Sequence, residues 1–179
     1  MQGVQVRIIP WKVDSHHIIR SETDFHAVFP VPIETVLHHL LDYDGIKDTY
    51  PRVRDSYVVD AEKEPFGRHT VRTYLGIKVL GFGETYTYIT NNWVEPQGDK
   101  SYIQKYNLEE SVDDKLYEML GNWYIEEVVL GGNRYTYVRQ YTIIGIQRGS
   151  LAMELAMKAF GSLSLRQQFR QLSEATKGS

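Results

Sequence analysis

Leu120-Gly-Asn-Trp-Tyr-Ile-Glu-Glu-Val-Val-Leu-Gly-Gly-Asn-Arg-Tyr-Thr-Tyr-Val138 is the stretch on which the fold turns. It reads as a strand carrying Gly-x-Trp, a tight Gly131-Gly132 turn and a second, aromatic strand. Glycine tolerates positive φ, so a Gly-Gly pair between two alternating runs is a strong hairpin signal. Working outward, turn signals at Glu64-Pro-Phe-Gly67, Gly76 to Gly81 and Glu95-Pro-Gln-Gly98 divide the middle of the chain. They predict strands near 53–60, 68–76, 81–93, 101–109, 116–130 and 134–147.

Upstream, Asp24 to Phe29 reads as a strand stopped by Pro30. Val31-Pro32 then opens a helix, with Glu34 in its first turn and Val36, Leu37, Leu40 and Leu41 as its buried stripe. Asp42-Tyr-Asp-Gly45 closes it, and a short second helix runs to Tyr50-Pro51. Residues 150–176 read as a long helix with Ser150 as N-cap. Strand, two helices, six strands and a long helix make an α+β protein, with helices gathered on one face of an antiparallel sheet. Residues 1–19 form an extension in which Val4, Val6 and Ile8 alternate before Pro10 and Trp11 interrupt, which suits an added edge strand. Residues 20–179 are expected to form the domain.

Composition narrows the function. A chain of 179 residues can bury a core as one domain. Its net charge of −3 gives no footprint for nucleic acid. There is no cysteine, which removes disulfides, thiolate metal sites and a cysteine nucleophile. No run approaches the apolar length of a membrane span. No secretory signal is visible, so the cytoplasm is the default compartment; a trimmed signal peptide would make it periplasmic or secreted. Both ends are weakly basic, with Arg7, Lys12 and Arg20 against Asp14, and Lys158, Arg166, Arg170 and Lys177 against Glu154 and Glu174. Such ends suit either solvent or an anionic membrane surface. The oligomeric state is left open.

Two segments carry a resemblance. Phe29-Pro-Val-Pro-Ile-Glu-Thr-Val-Leu-His-His-Leu-Leu-Asp-Tyr-Asp-Gly-Ile-Lys-Asp-Thr-Tyr-Pro-Arg-Val53 looks like the proline turn, first helix, Asp-aromatic pair and second proline of START-like, polyketide-cyclase-like helix-grip domains. Ile46 departs mildly from that pattern, standing where an aromatic is common. Gly121-x-Trp123-x-Ile125, Gly131-Gly132 and Tyr135-x-Tyr137 supply the second match, and the resemblance spans roughly residues 22–176. It implies a curved antiparallel sheet wrapped around the C-terminal helix, with two short helices between strands one and two. Relatives of this kind include lipid-transfer domains, hormone receptors, cyclases, coenzyme Q-binding proteins and co-chaperones, so the fold alone settles little.

Alternation assigns the face turned toward the last helix. Phe82, Glu84, Tyr86 and Tyr88 share one side of their strand, as do Tyr102, Gln104, Tyr106 and Leu108 on the next. The hairpin offers Met119, Trp123 and Ile125, then Tyr135, Tyr137, Arg139 and Tyr141. If these sides face inward, the interior is aromatic with isolated polar groups, as a ligand pocket should be; a solid core would use the same residues. Glu84 and Arg139, read inward, need partners: each other, or a ligand carboxylate for Arg139. Met153, Met157 and Phe160 flank a stripe of small alanines in the last helix, which would leave room for a ligand beneath its first half; a plain amphipathic core helix would use the same residues. Beyond Gly161 the apolar residues Leu165, Phe169 and Leu172 lie on a rotated face.

Three functions fit. The first is non-catalytic binding or transport of a lipid-like or polycyclic molecule, with Phe82, Glu84, Tyr86, Tyr88, Tyr102, Tyr106, Trp123, Tyr137, Arg139, Met153, Met157 and Phe160 as its wall. The second is a cyclase- or aromatase-like enzyme using Glu84, Arg139, Tyr137 and His69. The third is a protein- or membrane-interaction module resting on the basic ends and the 1–19 extension. No hydrolase, zinc-protease, phosphate-loop or calcium-loop motif is present. Neither a metal nor a cofactor is expected.

Overall fold

The computed structural model describes residues 3–13, 16–50, 52–64, 66–79, 82–147, 166–167 and 169–174. Among them, eight strands form one curved, unclosed antiparallel sheet: β1 (Gly3–Val13), β2 (His16–Phe29), β3 (Val53–Ala61), β4 (His69–Val79), β5 (Phe82–Gly98), β6 (Ser101–Ser111), β7 (Leu116–Leu130) and β8 (Asn133–Gln147). Their spatial order is β1-β2-β8-β7-β6-β5-β4-β3. From β3 to β8 the chain meanders, each strand pairing with the next. The link from β2 to β3 must instead cross the sheet, and α1 (Ile33–Leu41) and α2 (Ile46–Thr49) carry it.

Local chemistry sets the helical crossing. Pro32 stands at the N-cap of α1 with extended backbone, and Ile33, Val36 and Leu40 form the buried stripe. They pack on Phe25, Ala27, Phe29, Trp123, Ile125 and Val138, which fixes one face of the sheet as the inner, concave one. Phe169 and Leu172, in the helical 166–174 segment, complete this cluster; the Phe169 ring lies 3.6 Å from Phe25 and 5.5 Å from Trp123. The apolar face of this segment is thus made by Phe169 and Leu172, with Arg166, Gln167 and Arg170 exposed. Of the helix expected over 150–176, only 166–167 and 169–174 are among the described residues.

Three boundaries differ from the sequence reading. β2 begins at His16 rather than Asp24, because β1 pairs with its whole length, from Gly3↔His26 to Val13↔His16. The 3–13 segment thus adds an edge strand, and Pro10 is tolerated there because β1 has a neighbour on one side only. β4 runs on past Gly76 to Val79. Glu95-Pro-Gln-Gly98 stays in β5, since β4 stops pairing at Asn92 and leaves the strand a free edge beside Pro96; the turn falls at Asp99-Lys100.

Candidate ligand-binding face

Register brings together on the concave face residues that are far apart in sequence. One row crosses six strands: His69, Asn92, Tyr106, Gly121, Thr142 and Thr23. The next runs Val94, Gln104, Trp123, Gln140 and Phe25. Gly121 explains the Gly-x-Trp signal. A Cβ there would stand 2.4 Å from Tyr106 Oη and 2.4 Å from the Tyr141 carbonyl, so only glycine lets the Tyr106 phenol lie across β7. Tyr106 Oη thereby reaches the Thr142 hydroxyl on β8, two strands away.

A polar band results. Gln104 Nε2 donates to Asn92 Oδ1 at 3.2 Å, and Asn92 Nδ2 donates to Thr90 Oγ1 at 3.0 Å. Gln104 also bonds the Tyr43 phenol, Thr73 bonds Tyr88, and Gln140 bonds Tyr106. Asn92, Gln104, Gln140, Thr142, Thr90 and Thr73 are all buried. Gln140 Oε1 is left without a hydrogen-bond partner among the described residues. On one side of the band lies the Phe25–Trp123–Phe169 cluster; on the other, Ile19, Tyr86, Tyr88, Leu116, Met119 and Ile146. Tyr106 packs against both.

Burial sets the electrostatics of this wall. It pushes the Tyr43 and Tyr106 phenols up to about 12 and the Tyr88 phenol higher still, because a phenolate there would lose its hydration. All three are neutral hydrogen-bonding groups at physiological pH. His69 Nδ1 donates to the Gly67 carbonyl at 3.0 Å, so the neutral ring presents Nε2 as an acceptor. Its ring lies 5.2 Å from Tyr43. A carboxylate of this face is Glu127, at the hairpin end opposite Thr136, and the Arg134 guanidinium stands 3.8 Å from it, out in solvent at the rim. Among the described residues no lysine or arginine side chain stands deeper on the face than that.

The residues of the expected wall divide between the two faces. Tyr86, Tyr88 and Trp123 are buried on the concave face, and Tyr102 and Tyr106 are half-buried there. The backbones of Phe82 and Glu84 pair with Val79 and Ile77, but their side chains, like Met153, Met157 and Phe160, lie outside the described residues. Tyr137 and Arg139 are on the opposite, convex face, as are Tyr135 and Tyr141. Trp123 and Ile125 face inward, so their cross-strand partners Gln140 and Val138 do too, and the alternate residues of β8 must face out. Arg139 binds the Asp24 carboxylate through two nitrogens, at 2.9 and 2.7 Å. Tyr137 bonds His26 Nδ1 at 2.5 Å.

A shallow groove of about 540 Å³ runs beside β1 and β2, between Trp11, Val13, Ile18, Arg20, Tyr117 and Glu118. Trp11 is half-buried in it, with the Arg20 guanidinium 5.4 Å from the ring centre, rather than exposed among apolar neighbours. Arg20 itself is held by Glu22 and Glu118. No group of three or more potential metal ligands occurs among the described residues, and no helix there is long and apolar enough to cross a membrane.

No protein-family model matches the chain, and neither does any curated protein. Solved structures do match. A START superfamily protein from Mycobacterium smegmatis aligns with TM-score 0.58 and 11% identity over 88% of this chain and 97% of that one. A protein from Thermus thermophilus gives 0.62 and 17% over 88% and 97%. The Zhui aromatase/cyclase from a Streptomyces species, strain R1128, gives 0.58 and 17% over 87% and 93%. At such identities the likeness is one of fold. The chain has the START-like, polyketide-cyclase-like fold.

Proposed function

We propose that this domain binds an apolar small molecule, lipid-like or polycyclic, against its concave face, without a covalent step. The observation that carries the reading is the polar band of Asn92, Gln104, Tyr106, Gln140 and Thr142 set between two apolar clusters. Apolar walls supply affinity, roughly 25 cal/mol per Å² of surface removed from water, while a few fixed polar groups orient the guest. Native mass spectrometry of the purified protein, followed by solvent extraction, tests it. A stoichiometric adduct that releases an apolar compound is the expected result. A bare polypeptide mass that stays unchanged when apolar compounds are offered would contradict it.

The likeness to an aromatase/cyclase supports a second reading, in which the same wall shapes a reactive chain. Arg139 and Tyr137 cannot serve it from the convex face. His69, with Nε2 as acceptor, is the remaining candidate base among the described side chains.

A further inference from the structure

We infer that the guest of the concave face is an uncharged molecule that presents a hydrogen-bond donor, a hydroxyl or an N–H, to Gln140 Oε1. This rests on the binding reading above and narrows it to a chemical class. Three observations lead here. Gln140 is 7% exposed, and its amide is held on one side only, by Tyr106; the Oε1 atom is buried without a partner among the described residues. A buried carbonyl oxygen left unpaired costs the protein stability that a donor would restore. Next, Glu127 Oε2, on the same face, is a second buried acceptor with no hydrogen-bond partner among the described residues. Arg134 stands beside that carboxylate at 3.8 Å, so the unpartnered acceptor on this wall is Gln140 Oε1, and it calls for a donor. Finally, Arg139, which read inward would have received a carboxylate, is turned to the other face and spent on Asp24. A carboxylate or phosphate ester entering here would lose its hydration and meet Glu127, while Arg134 stays out in solvent at the rim.

Gln140 also lies where it can discriminate. On its row it stands between Trp123 and Phe25, whose rings both contact Phe169, while its own amide reaches toward Tyr106 and the next row. A flat apolar body against Tyr106 and Tyr88 would put a substituent hydroxyl near that amide. The Thr142 and Tyr106 hydroxyls are engaged with each other, whereas Oε1 has no partner among the described residues, so Oε1 is the acceptor that reads the substituent.

Four probes of one shape isolate the effect: naphthalene, 2-naphthol, 2-methoxynaphthalene and 2-naphthoate, titrated into the full chain by calorimetry. The expected order places 2-naphthol first, roughly five- to tenfold tighter than 2-methoxynaphthalene, the factor of a single neutral hydrogen bond. 2-Naphthoate should bind more weakly than naphthalene itself. In Gln140→Met, which keeps length and apolar bulk, the naphthol-to-methoxynaphthalene ratio should collapse toward one. The wild-type ratio alone decides the matter if that variant folds poorly. Equal binding of naphthol and methoxynaphthalene, or a preference for naphthoate, overturns the donor inference and leaves the binding reading standing. Failure of all four to bind overturns both.

Discussion

The two faces of the sheet solve the same problem in opposite ways. On the concave side, Phe25, Ile125 and Val138 are wholly buried, Trp123 and Phe169 nearly so, and polar groups are neutral and bonded to one another. On the convex side, charge is paired in place: Arg139 with Asp24, and Arg20 with Glu22 and Glu118. These pairs keep contact with water, and exposed ion pairs contribute little. Stability therefore comes mainly from burial on the concave face, and the charge pairs of the convex face add little.

The contrast breaks most visibly at Trp123. Trp123→Ala should remove about 3–5 kcal/mol of unfolding free energy, because Tyr50, Phe169 and the row neighbours cannot all collapse into the gap. Urea denaturation checks it; a loss under about 1 kcal/mol would mean that the cluster is not a packed core.

Arg139→Ala should lie at the other end of the scale, under about 1 kcal/mol at neutral pH. Its hydrogen bonds hold the Asp24 carboxyl below the usual carboxylate range. A carboxylate depressed in the folded state contributes stability above its ordinary value near pH 4 and loses that contribution as pH falls through the folded value. The difference between wild type and Arg139→Ala should therefore shrink in acid, as pH falls below the ordinary carboxylate value and through the lowered folded one. A difference that persists there would assign the effect to packing of the guanidinium stem.

How much of this was legible in sequence depends on which signals are local. α1 followed from the Val36 and Leu40 spacing, and the β7–β8 hairpin from Gly131-Gly132. The aromatic residues of β8 suggest the inward side, whereas the inward set is Thr136, Val138, Gln140 and Thr142. The information was nonetheless in the chain. A two-residue turn pairs Leu130 with Asn133, and counting back from it lands Trp123 opposite Gln140, so an inward tryptophan forces an outward Arg139. The full length of β2 was not locally encoded, since its first half is ordered by pairing with β1 and β8. The polar band was hidden for the same reason: Asn92, Gln104, Tyr106 and Thr142 come from three separate strands and meet only through register.

The central claim is that the concave face receives the guest and the convex face does not. Side-chain N–H resonances separate the two, because they report one face each. In a ¹⁵N-labelled sample titrated with 2-naphthol, the Asn92, Gln104 and Gln140 amide groups should shift in a saturable, concentration-dependent way, while the Arg139 Nε–H stays in place. Shifts at Arg139 with silence from those three amides would contradict the account.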